Sequence, residues 1–295
     1  MENFSRVLVA LDHSPMDQFL IRQARRVADN FGVTNLYFVH IIPALALPKN
    51  AQAELQKRFG PEIPAETQVR SDLEQQIREH WGSENSTEWS LEVIEGKPYS
   101  QLLQWLTEKK IGLVIVGQKQ ETRGSGITAR KLANNARCHV LFVPGIALRE
   151  GQRLLVPVDF SEGSAKALQL ALEWKSRQEG IEVTVLHITD LLATGYYLNR
   201  QEFESFNRFL MDTAKDSYRL FLGEHQIREN SHEVVILRND EGGISERIIA
   251  FAAERAFDWI IVGAQGHGAI ERFFFGSITE KLVSKPLPAP ALVVR

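Results

Sequence analysis

Short apolar runs alternate along the whole chain with stretches of helical periodicity, most clearly in the second half. Residues 154–158 form one such run. After it Ala165, Leu168, Ala171, Leu172 and Trp174 recur at helical spacing behind Ser161 and Ser164, two candidate caps. Further apolar runs at 183–188, 234–237, 259–262 and 291–294 read as strands, separated by helical stretches at about 202–224, 244–255 and 277–284. Strands that are apolar at nearly every position are buried on both faces. The pattern therefore predicts a parallel sheet with helices on either side, a doubly wound Rossmann-like α/β fold.

The two halves of the chain repeat each other. Asp12 ends RVLVALD as Asp159 ends RLLVPVD, and His40 in YFVHI matches His187 in TVLHI, both 147 positions apart. Gly96 matches Gly242, Gly117 after LVIV matches Gly263 after IIV, and Val143 matches Val294. Conserved order, residue type and near-constant spacing mark an internal duplication. Two tandem domains are expected, 1–147 and 148–295, joined by a short Pro- and Gly-containing link at 144–152. A link this short favours direct packing about a pseudo-two-fold axis, an intramolecular pseudo-dimer, with a homodimer of whole chains left open.

At 295 residues, 44% apolar and 24% charged, the composition is that of a globular protein. A net charge of −3 gives no general attraction to nucleic acid or to an anionic membrane, so neither is expected as a partner. Cys138 is the only cysteine, which excludes an internal disulfide and fits a reducing compartment. The first residues enter an apolar strand directly, and no apolar run approaches the ~20 residues that span a bilayer, so a cytoplasmic location is expected.

Candidate chemistry gathers after the strand at 259–262. Gly263, Gly266, Gly276 and Ser277 form the run G-x2-G-x9-G-S. Glycines at the carboxyl end of a parallel strand let the backbone turn and approach a ligand, and Gly276-Ser277 then opens a helix whose free N–H groups attract an anion. Gly266 is expected at positive φ, leaving room for phosphates. In a parallel sheet, ligands collect at the carboxyl edge where strand order reverses. Pro157, Val158 and Asp159, Ile188, Val262 and Gly263, and Gly276, Ser277 and Ile278 should converge there. Asp159 can accept hydrogen bonds from adenine or ribose, and Val158 with the Ile188 backbone can form an apolar slot for the base. Arg272 and His267, inside the loop, are candidate partners for phosphate oxygens. The constellation describes an adenosine pocket with a phosphate lip.

With these motifs the chain resembles the universal stress protein family in its tandem form. The resemblance runs through VPVDFSEGSAKAL, TVLHI, DWIIVG, GAQGHGAIERFFFGS and PALVVR. It implies an adenine nucleotide alpha hydrolase-like fold in each half and ATP, with Mg2+, bound by members that carry the glycine run. The implied contacts are Asp159, Ile188, Gly263, Gly266, Gly276, Ser277 and Ile278. The implied role is a regulatory binding module in the stress response. A slow ATP-hydrolysing or autophosphorylating enzyme is one alternative and a scaffold without nucleotide another; no P-loop or nucleophile–base pair accompanies the glycines.

The first half departs from this pattern. Gln120 stands where the second glycine should be, Gly126 follows Gly117 after nine positions where Gly276 follows Gly263 after thirteen, and Ile127 replaces Ser277. An empty or altered first site is expected. His40 and His187 read as strand-end histidines bonded to backbone, not as a metal site. Tyr196, Tyr197, Leu198, Phe203, Phe206, Phe209 and Leu210 read as a helical stripe of core or interdomain surface, and Phe273 to Phe275 as packing.

Overall fold

The computed structural model describes residues 4–43, 66–82, 87–118, 125–147, 149, 151–190, 200–239, 242–266 and 275–295. Spatial contacts divide the chain into two units, Met1–Cys138 and His139–Arg295.

In the first unit the elements run β1 (Arg6–Leu11), α1 (Asp17–Phe31), β2 (Asn35–Pro43), α2 (Glu66–Trp81), β3 (Trp89–Gly96), α3 (Pro98–Glu108), β4 (Leu113–Gln118) and α4 (Ser125–Asn135). The strand order is β3-β2-β1-β4, parallel throughout. The second unit opens with β5 (His139–Pro144) and continues β6 (Arg153–Pro157), α5 (Glu162–Arg177), β7 (Glu182–Asp190), α6 (Arg200–Glu224), β8 (Glu233–Asn239), α7 (Ile244–Glu254), β9 (Trp259–Gly263), α8 (Ser277–Ser284) and β10 (Ala291–Val294). Its order is β5-β10-β9-β6-β7-β8. Neighbours from β10 to β8 pair in parallel, and β10 pairs antiparallel with β5, Leu292 opposite Leu141. By sequence β5 closes the first repeat, yet by contact it lies in the second unit.

The physical cause of these elements is legible locally. Ser161 caps α5, its hydroxyl accepting the Ser164 N–H at 3.2 Å, and Ala165, Ala167, Leu168, Ala171 and Trp174 then face the sheet. Every residue of β9 and β10 is buried, as strands covered on both faces require. Trp174 meets Trp259 edge to face with ring centroids 5.0 Å apart, a large apolar contact between α5 and β9. In each unit the chain leaves the central strand in one direction and returns on its other side, so the order reverses between β1 and β4 and between β6 and β9. These reversals create the crevices at the carboxyl edge where a ligand has access.

Trp259 is 1% exposed, so Trp259→Ala should cost about 3–5 kcal/mol. Urea unfolding followed by circular dichroism should show the second unit melting at a clearly lower midpoint; an unchanged midpoint would place this ring outside the core.

Candidate functional site

In the second unit the site begins at the turn between β6 and α5. Asp159 follows the strand, and its Oδ1 accepts the Ser161 hydroxyl at 2.5 Å and the Ser161 N–H at 3.2 Å. Between them Phe160 has φ 65°, a left-handed conformation that a bulky residue adopts only when its surroundings hold it there. Its ring stacks on His187 at 4.2 Å. The His187 Nδ1 faces the Val158 carbonyl at 2.9 Å, the strand-end role expected for it. Burial pushes the imidazole below its ordinary range, so at neutral pH it carries no charge for a phosphate.

The second wall is the loop after β9. A Cβ on Gly263 would lie 2.4 Å from the Gly163 carbonyl carbon, and one on Gly163 would lie 2.0 Å from the Gln265 carbonyl oxygen. Backbone meets backbone here, and only glycine fits at either position. A Cβ on Gly266 would fall 2.3 Å from Asp159 Oδ2. Gly266 is not in the left-handed region, contrary to the expectation from sequence; it is required by space, because the Asp159 carboxylate occupies the volume a side chain would need. Gly276 closes the loop, its N–H donating to the Ala264 carbonyl at 2.7 Å.

Gly276 is also the N-cap of α8, and as a glycine it supplies no side-chain cap. The N-cap residue thus gives the first-turn N–H groups none of the side-chain capping that Ser161 gives α5, and Ser277 beside them is exposed. Asp159, Gly263, Gly266 and Gly276 are thus brought together by close contacts. Pro157 ends β6, Val158 and Ile188 are buried at adjoining strand ends, Val262 is buried in β9, and Ile278 is half-buried in the first turn of α8. Arg272 and His267 lie outside the described residues. Among the described residues no group of three or more His, Cys, Asp or Glu is placed to hold a metal ion.

The first unit builds the same turn with different chemistry. The Ser14 hydroxyl donates to Asp12 Oδ1 at 2.5 Å, His13 has φ 55°, and His40 Nδ1 faces the Leu11 carbonyl at 3.1 Å. Carrying the 147-residue offset four and five positions past Asp12 sets Met16 against Gly163 and Asp17 against Ser164. Neither position belongs to the glycine pattern. A Cβ on Gly117 would meet Met16 Cγ at 2.9 Å, so a thioether side chain packs where the second unit has bare backbone. Asp17 is fully buried and accepts the Asp12 N–H at 3.1 Å and the Ser14 N–H at 3.3 Å. Burial raises its pKa from 3.8 to about 6, and the neighbouring Asp12 charge pushes the same way. A buried carboxylate at the foot of the crevice repels an anion. Gln120 lies outside the described residues, and so do the side chains of Gly126 and Ile127.

Other expectations divide. Phe275 is buried, 6.3 Å from the Phe142 ring and beneath the Arg295 guanidinium, as packing predicts. Phe203, Phe206 and Leu210 are half-buried, but Phe209 is 64% exposed. Tyr196 to Leu198, Phe273 and Phe274 are outside the described residues.

Comparison with known proteins now decides the family. The model of the universal stress protein family matches residues 3–144 and again 151–295. The chain belongs to this family, twice over. A universal stress protein of Methanocaldococcus jannaschii is 25% identical over 146 residues, 48% of this chain and 82% of that protein. Among solved structures, a universal stress protein from Archaeoglobus fulgidus aligns over 99% of this chain and 97% of its own, with TM-score 0.62 and 16% identity. A functionally unknown protein from Pseudomonas aeruginosa aligns over 99% and 93%, with TM-score 0.63 and 14% identity. These likenesses confirm the tandem doubly wound fold. Among the described residues no helix is long and apolar enough to cross a membrane.

Two outcomes follow from the contrast between the units. Asp17 binds its proton more tightly folded than unfolded. It therefore favours folding most below pH 3.8, and that contribution is lost as pH rises through about 6. Relative to the wild type, Asp17→Ser should gain about 2 kcal/mol in stability between about pH 4.5 and 7.5. Parallel stability curves for the two proteins would contradict it. Gly163→Ala should force the Gln265 carbonyl aside and lower the melting temperature of the second unit. An unchanged melting curve would show that the contact is slack.

Proposed function

We propose that this universal stress protein binds one adenine nucleotide, ATP, in its second domain and serves as a cytoplasmic stress-response binding module. The observation that carries the reading is the convergence of Asp159, Gly266 and Gly276 at the glycine-capped start of α8. The donor set suits the ligand. Asp159 offers carboxylate oxygens to ribose or base hydrogens, Val158 and Ile188 supply apolar surface, and the first-turn N–H groups of α8 with the Ser277 hydroxyl offer donors to phosphate oxygens. Gly263 and Gly266 let the loop after β9 close against the turn that carries Asp159. Magnesium would arrive on the phosphates, and Arg272 is the proposed cation of the loop. The first domain retains the Asp12 turn but sets Met16 and the Asp17 carboxylate at its crevice, which supports assigning the nucleotide to the second domain alone.

The test is Gly266→Val. Valine there must displace the Asp159 carboxylate and break its bonds to Ser161, so binding should fail while the domain still folds. At ATP about 100 times its dissociation constant, ligand adds ~2.7 kcal/mol to the stability of the wild type, a rise of several degrees in melting temperature. The variant should lose most of that rise. Asp159→Ala should lose it also, and Asp12→Ala should keep it. A full shift in Gly266→Val, or a shift lost only in Asp12→Ala, would refute the assignment.

A further inference from the structure

The glycine loop has two feet, the end of β9 and the start of α8, and its N–H groups can converge on a phosphate only if those feet stay together. Hydrogen bonds of two kinds join them. One is backbone, from the Gly276 N–H to the Ala264 carbonyl at 2.7 Å. The other comes from a side chain. The Thr279 hydroxyl, 4% exposed on the inner side of the first turn of α8, donates to the Gly263 carbonyl at 2.8 Å, sixteen positions back along the chain. A buried carbonyl and a buried hydroxyl satisfy each other, and losing either leaves the other unpaired at a cost. The bond ties the inner side of the first turn of α8 to the end of β9.

The first repeat has no hydroxyl at the aligned position. With Leu132 set against Leu282, the position of Thr279 falls on Ala129, a buried residue with no hydroxyl. The difference separates the repeats independently of the glycines, of Met16 and of Asp17.

We propose that Thr279 is a positioning residue for the phosphate loop. It touches no ligand, and it sets affinity for the phosphates by clamping α8 to the end of β9. This inference rests on the nucleotide reading of the second domain.

Thr279→Val keeps the shape and removes the donor. Titration calorimetry with ATP and with adenosine should show ATP binding weakened about tenfold, the scale of one buried hydrogen bond, and adenosine binding changed less than about twofold. Thr279→Ser, which restores the hydroxyl, should recover ATP affinity. If the valine variant does not fold, Thr279→Ala is read in its place, since alanine is accommodated at Ala129. Wild-type ATP affinity in the variant, or equal losses for ATP and adenosine, would overturn the positioning role. A wild-type protein that binds adenosine but gains nothing from the phosphates would overturn it too. No ATP binding by the wild type would refute the nucleotide reading itself, and this inference with it.

Discussion

The second domain depends on one close approach, that of the turn after β6 to the end of β9. Gly163 and Gly263 meet without side chains between them, which brings the Gln265 carbonyl and Gly266 onto the turn that holds Asp159. Any Cβ at these positions would stand 2.0–2.4 Å from a neighbouring atom, far inside contact distance, so the geometry is decided by exclusion and not by an attractive bond. Around that contact the attractive interactions are ordinary. A serine cap, a carboxylate accepting a hydroxyl and a buried threonine bond contribute about 1 kcal/mol each. Their function is to hold the two walls of the crevice in register.

The first domain has the same turn and solves the packing differently. A left-handed non-glycine residue, an Asp–Ser bond and a histidine facing the strand-end carbonyl recur at His13, Asp12 with Ser14, and His40. These features belong to the fold. Met16 then packs its side chain against Gly117 where, in the second domain, glycine lets backbone meet backbone, and Asp17 carries a carboxylate buried enough to titrate near 6. Duplication has preserved the frame and divided the electrostatics: one crevice holds a helix start with glycine at its N-cap, the other a buried acid.

Much of this was legible in the sequence. Helix α8 and strand β10 have the limits their periodicity predicts, and Ser161 caps α5 as its position before the helical run suggests. Both strand-end histidines face backbone carbonyls, as their isolation from other metal-ligating residues implied. Other features were hidden because they depend on distances between segments far apart in the chain. The need for glycine at Gly266 comes from Asp159, more than a hundred residues away, and not from its own backbone angle. The weight of Gly163 and Asp17 appears only when the repeat is aligned residue by residue beyond Asp12. The exposure of Phe209 could not be read from spacing, since an aromatic stripe does not reveal which of its members the rest of the fold covers.

The most direct measurement is a crystal structure of the protein with a non-hydrolysable ATP analogue. One nucleotide per chain is predicted, its base beside Asp159 and Ile188 and its phosphates against Gly266, Gly276 and Ser277, with none at Met16 and Asp17. Nucleotide in the first domain, or a second domain left empty at saturating analogue, would contradict the assignment of phosphate binding to the glycine contacts.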